Sequence, residues 1–470
     1  MGLPRESCRV ENVGEVRPEE NSLLRVSPRA VEKWQRECWV RLAQCTPNVI
    51  VPVGNLALNT LRRAPLPMNP KTGKWRVRST PLGPVIDWRD TITNWRGSIT
   101  SARFENGSRV KVIPTFHPAY VLRSGDAFDV WRGDWERILD DRHFPELRRL
   151  ACVHMIEPTR GDVGDLVREA LRPGRVLVFD IETMGGKGWR QIRCVGFALE
   201  PGFSITIGTE EAWQRTAIRQ LLTLDCAKGG HFSLFDRFVL ARAAGILPTR
   251  VVWDSHFLHH CLDPRDQHRL AYCASRDLRV QFWKDEAKEE GGSTGSVRDW
   301  RKLFRYCGKD VSRTRALVEI YRERVRDRGL LDFYRAHYRR LSHACLRLSL
   351  VGFRVREAAR IQLQQEARVA LEGIRARIAT ITSLPVIAKQ GGLSSPVVAR
   401  FFYDELGCKP YFKRGTTQRT ADELAIRRLM RRYTKARVGG QAILDYRSMK
   451  KQIENLAERQ VDEDGRVRSL

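Results

Sequence analysis

The sequence predicts an α/β protein built in three successive parts: a parallel-sheet part over residues 1–155, a mixed-sheet part over 165–335 and an all-helical part over 336–470. Three observations carry this. Up to about residue 155, apolar runs of strand composition alternate with helix starts, the pattern of a layered α/β unit. Between 176 and 207, three strand-like runs follow one another closely, so neighbours there are expected to pair antiparallel. Beyond 336 the apolar residues recur at helical spacing. A chain of 470 residues accommodates about three domains.

The opening residues are charged and carry Gly, Pro and Asn, which reads as an irregular lead. Ser27-Pro28 is a helix start, with Ser at the N-cap and Pro in the first turn, for a helix reaching about Gln44. Asn48-Val-Ile-Val-Pro-Val-Gly54 reads as a buried strand, Asn55 to Leu61 as a helix, and Lys111-Val-Ile-Pro-Thr115 as a second strand. Val176 to Thr183 and Ile192 to Leu199 flank Gly185-Gly-Lys-Gly188 and read as antiparallel partners. Phe203 to Ile207 alternates as a third strand, and Glu211 to Leu224 is helical. Further on, Gly352 breaks a helix over 337–350, a long helix runs from Ala358 to about Ile381, Ser395-Pro396 opens another, and Gly407 stops it.

Lys and Arg outnumber Asp and Glu by 83 to 55, a formal charge of +28. Such an excess points to a polyanion, most simply nucleic acid, and its arginine bias suits bidentate phosphate contacts. No lipidation signal, basic amphipathic anchor or apolar run of about 18 residues argues for a membrane. The 11 cysteines have no metal-like spacing, so they read as reduced thiols of a cytoplasmic protein. The run from Ile426 to Arg437 mixes apolar and basic residues and reads as a basic helix face that could track a nucleic-acid backbone.

The chemistry concentrates in the middle part. Four apolar residues lead into Asp180 and Glu182, which share one side of a strand because side chains alternate. Two carboxylates on one face repel, and a hard divalent cation such as Mg²⁺ or Mn²⁺ relieves that cost. Asp236 falls near a helix N-terminus, where negative charge is favourable. Tyr306 and Asp310, at i and i+4, share a helix face.

Asp180-Ile-Glu182, Phe235-Asp236 and Tyr306-x-x-x-Asp310 resemble, in order, the three exonuclease motifs of the DEDD family with an RNase H-like fold, particularly the proofreading domain of family A DNA polymerases. Trp253 to Pro264 resembles the helix after its second motif, and Phe282-Trp-Lys-Asp-Glu-Ala-Lys288 a phrase of phage polymerases. The resemblance implies 3′–5′ DNA exonuclease activity with two Mg²⁺ or Mn²⁺ ions. Asp180, Glu182 and Asp310 would hold one metal, Asp180 would bridge to the second, and Asp236 would act on that second ion through water. Tyr306 would orient the attacking water, and Thr183, Phe232 and Phe235 would meet the substrate. Phe232 departs from the asparagine that many members carry there.

Upstream, Val49 to Leu58 and Pro114-Thr-Phe-His-Pro-Ala-Tyr-Val-Leu-Arg123 resemble the uracil-DNA glycosylase superfamily, in which His117 would bind a flipped uracil. Its water-positioning loop and iron–sulfur cysteines are not matched. The expectation is an incomplete glycosylase-like domain without activity and without an iron–sulfur cluster. Downstream, Phe401 to Pro410, Lys413 to Glu423 and Tyr446 to Arg466 resemble the thumb-containing start of a family A polymerase domain. Palm and fingers would lie beyond Leu470. Either the chain is truncated or a separate polypeptide supplies them; the partner expected in both cases is a single-stranded or frayed DNA 3′ end. The rival reading is a non-catalytic DNA-binding subunit of a split polymerase.

Overall fold

The computed structural model describes residues 4–80, 83–184, 191–286, 299–388, 391–412, 419–458 and 461–468. Two compact units emerge, Met1–Arg76 with Asp87–Leu350 and Val77–Ile86 with Val351–Ser469. Gly185 to Gly188, Ala287 and Lys288, and Lys413 to Gln418 lie outside the described residues.

The first unit begins with α1 (Pro28–Ala43), whose N-cap Ser27 accepts from the Ala30 amide, as Ser-Pro at a helix start dictates. Strand β1 (Val49–Ile50) is shorter than its apolar run, because Pro52 cannot donate to a ladder. α2 (Asn55–Leu61) follows. β2 (Val77–Thr80) and β3 (Gly83–Ile86) form a hairpin assigned to the other unit. α3 (Ile92–Trp95), β4 (Thr100–Arg103), β5 (Arg109–Val112), α4 (Pro118–Arg123) and α5 (Phe128–Asp141) complete this region. β1 and β5 pair parallel, as the alternation of elements requires; β4 adds an antiparallel edge to β5.

A second sheet has six strands in the order β11-β10-β7-β8-β9-β6. They are β6 (Val153–Met155), β7 (Val176–Thr183), β8 (Ile192–Ala198), β9 (Phe203–Gly208), β10 (Ala227–Gly230) and β11 (Val251–Asp254). β7, β8 and β9 pair antiparallel, whereas β10 joins β7, β11 joins β10 and β6 joins β9 in parallel. α6 (Arg160–Ala170), α7 (Ala212–Thr223) and α8 (Leu234–Ala244) bury Val163, Leu166, Leu221, Leu222 and Val239 against Leu177, Phe179, Val195 and Phe197. α9 (Ser255–Leu262) and α10 (Leu270–Asp277) lead to α11 (Trp300–Asp327), which crosses β7, β8 and β9. Gly196 permits that crossing: a Cβ there would lie 2.9 Å from Cys307 Sγ and 3.1 Å from Val311 Cγ1.

α11 gives way to one turn of π-helix, Tyr334–Tyr338, and α12 (Arg339–Val351). In the second unit, α13 (Glu357–Ile381) packs along α16 (Arg437–Glu458), with α14 (Ser395–Arg400) and α15 (Glu423–Arg432) between them in sequence. Strands β12 (Phe353–Arg354) and β13 (Arg466–Val467) pair antiparallel. The long basic run of this region is not one helix; it breaks at Tyr433, where α15 ends. Gly439 and Gly440 have no room for a side chain, since Phe401 and Met430 fill those positions at 2.5 and 2.6 Å. No described helix is long and apolar enough to cross a membrane.

Candidate active site

Asp180 stands opposite Gly196 and Glu182 opposite Cys194 on β8, so the two acids face the same side, as strand alternation requires. That side is the one α11 covers, and α11 brings Tyr306 and Asp310 with it. The third contribution comes from α8. Asp236 is the third residue of that helix, and its Oδ1 accepts from the Ile181 amide at 3.1 Å, between the two β7 acids. Four carboxylates from three elements therefore meet.

The electrostatics follow from that convergence. Burial first, then the charges of Asp236, Asp310 and Glu182, push the Asp180 carboxyl well above the ordinary range. Burial and Asp310 push Glu182 up to about 8. Asp236 rises to about 7, mainly through burial and despite the backbone amide donated by Ile181. These acids are poor as isolated anions and suited to share a cation. One ligand atom each from Asp180, Glu182 and Cys307 lie within 4.8 Å of one another. Cys307 is nonetheless a packed thiol: hydrogen bonding with Cys194 and burial keep it protonated, and its Sγ donates to the Asp180 carbonyl. The donor set is thus oxygen-only, which fits Mg²⁺ or Mn²⁺ rather than zinc.

Trp283 and Lys284, quoted above only within a longer phrase, belong to the site. Trp283 Nε1 donates to Asp310 Oδ1, and Lys284 Nζ ion-pairs with Asp310 Oδ2. Lys284 Nζ also donates to Tyr306 Oη at 2.8 Å. Burial alone would discharge this lysine, but the carboxylates of Asp310, Asp180 and Glu182 outweigh it and hold the ammonium above the usual lysine range. The Tyr306 phenol, buried beside those carboxylates, is raised and stays protonated. An ammonium has no acceptor, so Tyr306 accepts from Lys284, while a hydrogen bond to the Asp310 carboxylate helps to hold the phenol proton in place. Arg313 lies over the Trp283 ring at 3.7 Å and completes the stack. No local signal marks Lys284: it stands in Gln281-Phe-Trp-Lys-Asp-Glu286, where the acids that follow make it read as part of a solvated charged run.

The segment that delivers Trp283 and Lys284 is fastened by the preceding α/β region. Phe282 packs on Trp95 with ring centroids 5.3 Å apart. Arg137 donates to the carbonyls of Gly97, Ser275, Arg276 and Leu278. The Ile99 amide donates to Val280 O at 3.0 Å, and the Leu150 amide to Arg279 O at 2.8 Å.

The remaining expected residues divide. Thr183 ends β7 at an irregularity in its register. Phe235 and Phe232 are 40 % and 44 % exposed, available to a substrate. Phe232 has φ 51°, a strained conformation for a bulky side chain, fixed by the Asp254 carboxylate bonding the amides of Phe232 and Ser233. His117 is not drawn into this group. It is the N-cap of α4, and its Nδ1 accepts from the Ala119 amide at 3.1 Å. The 11 cysteines form no disulfide.

No family model and no curated protein matches the sequence. Among solved structures, the chain is similar to the POL domain of Pol1 from M. smegmatis in complex with DNA primer-template and dNTP, at 18% identity and TM-score 0.46, over 67% of this chain and 51% of that one. It is also similar to the apo form of a nuclease, at 19% identity and TM-score 0.35, over 44% of this chain and 95% of that one. The chain thus spans about half the length of the polymerase structure.

Proposed function

We propose that this protein is a divalent-metal-dependent exonuclease that removes nucleotides from DNA 3′ ends, in the manner of a family A polymerase proofreading domain. The observation that carries the reading is the convergence of Asp180, Glu182, Asp236 and Asp310, three of them with carboxyls raised by burial and mutual repulsion. Asp180, Glu182 and Asp310 would hold one metal ion, with Asp180 and Asp236 serving a second. When bound, two such ions activate water and neutralise both the attacked phosphate and the leaving 3′ oxygen. Tyr306 would orient the attacking water through its hydroxyl, a group that Lys284 and Asp310 hold in place. Phe232 and Phe235 present exposed rings to the terminal bases. The +28 charge supplies the affinity for a polyanion.

On this reading residues 1–155 form a glycosylase-like remnant, 165–335 the exonuclease and 336–470 the thumb-like start of a polymerase domain. Incubating the protein with 5′-labelled single-stranded DNA tests the activity. A ladder shortening from the 3′ end, dependent on Mg²⁺ or Mn²⁺ and abolished by Asp180→Ala, is the expected result. DNA bound without shortening would instead leave a non-catalytic DNA-binding subunit, and abasic sites on uracil-containing DNA would restore the glycosylase reading for His117.

A further inference from the structure

We infer that a lane of aromatic rings running from Phe232 to Phe333 and His337 binds the bases of a single nucleic-acid strand leading to the carboxylates, an inference that rests on the nuclease reading above. The rings touch in series. Phe232 lies 6.1 Å from Phe257, Phe257 stacks on Tyr338 at 5.8 Å, and Tyr338 meets the edge of Phe333 at 5.6 Å. Phe333 then stacks on His337, 5.3 Å apart and only 7° from parallel. Phe257 and Tyr338 are half-buried and fix the path from below. Its two ends are exposed: Phe232 by 44 % and Phe333 by 51 %.

Two features favour a ligand over chance exposure. Each end sits on irregular backbone. Phe232 is held at positive φ by Asp254, and the Phe333–His337 stack is built across the π-helical turn Tyr334–Tyr338. Such turns cost helix geometry and recur where they aim side chains at function. The surroundings are also basic. Arg335, Arg339 and Arg340 are exposed on the same run, against the single acid Asp332. Exposed rings flanked by arginines suit a strand whose bases stack while its phosphates are neutralised.

The test measures binding of fluorescein-labelled dT20 and dT4 to the full chain in EDTA, by anisotropy, so that no hydrolysis is involved. Wild type should hold dT20 more tightly than dT4. Phe333→Ala with His337→Ala should weaken dT20 at least about tenfold, since each stacked base contributes about 1–3 kcal/mol, and should erase most of the length dependence. Phe333→Trp, which enlarges the ring, should tighten it. Retention of dT20 affinity within twofold by the double variant, with an unchanged melting temperature, overturns the lane. So does an equal loss of dT4 and dT20. If the wild-type protein shows no metal-dependent nuclease activity, the length dependence in EDTA still reports on the lane; an active nuclease with no length dependence removes the lane alone.

Discussion

The Lys284 ammonium donates to the phenol oxygen of Tyr306 at 2.8 Å while ion-paired to Asp310. This arrangement fixes the phenol, because its oxygen accepts from the ammonium while its hydroxyl bonds the Asp310 carboxylate. On the proposed reading the lysine would act through the tyrosine. Lys284→Met should lower kcat about 10- to 100-fold, the scale set by losing orientation at a reacting centre. In a Tyr306→Phe background the same change should have little further effect, because the group it orients is gone. Single-turnover rates of the wild type and the three variants check this. Additive losses would mean that the lysine serves Asp310 alone.

A metal bound at this site would compete with protons for the same oxygens. The folded protein holds Glu182 up to about 8 and Asp236 up to about 7, above their ordinary values near 4. A raised folded-state pKa means that stability is fully present below the unfolded values and is lost as pH rises through the folded ones. In EDTA the melting temperature should therefore fall between about pH 5 and pH 9. Saturating Mg²⁺ should remove most of that fall, and Mg²⁺ affinity should rise across the same window as protons leave. Asp180→Asn, which takes away one repelling carboxylate, should flatten the EDTA curve and raise melting at pH 8 while eliminating hydrolysis. Thermal scans at five pH values would expose a failure directly: a flat wild-type profile in EDTA contradicts the raised acids.

Arg137 is not among the groups that meet the carboxylates, yet it should matter to them. Its guanidinium ties Gly97 to the carbonyls of Ser275, Arg276 and Leu278, just before the segment that ends in Trp283 and Lys284. Arg137→Ala leaves buried carbonyls unpaired at about 1–3 kcal/mol of lost stability. Amide exchange over residues 276–284 should accelerate, and turnover should fall with Mg²⁺ affinity little changed. Unaltered exchange in that segment would show that the upstream region does not brace the site.

What was legible in the sequence follows from the range of the signals. β7 with Asp180 and Glu182, the helix that opens before Asp236 and the i, i+4 pair Tyr306 and Asp310 all rest on local periodicity, and each lies where that periodicity puts it. β6 did not declare itself, because three residues carry no period and its pairing partner β9 lies 50 positions away at Val153↔Phe203. Lys284 was missed for a related reason. Its partners, Tyr306 and Asp310, follow it by 22 and 26 positions, and only the tertiary path past Trp95 brings it inward. Pro52 shortened β1 and Tyr433 divided the basic run, both local features outweighed by the longer pattern.

Gly196 offers the most direct test of how closely the site depends on helix-to-sheet distance. It stands opposite Asp180 on β8, under α11, where a methyl group would meet Cys307 Sγ at 2.9 Å, Val311 Cγ1 at 3.1 Å and the Cys307 carbonyl at 3.3 Å. The carbonyl belongs to helix backbone and cannot rotate away, so α11 itself must shift. Overpacking of this kind costs about 1–3 kcal/mol. The same shift carries Asp310 and Tyr306 away from Asp180 and Glu182, which no local repacking can restore. Gly196→Ala should therefore fold with a lower melting temperature, bind Mg²⁺ more weakly and lose about 10-fold in turnover, since the helix must give by a fraction of the roughly 1 Å that costs about 100-fold. Enlarging the substitution to Val should worsen all three together. A variant that melts early but keeps full Mg²⁺ affinity and turnover would show that the carboxylate cluster tolerates movement of α11.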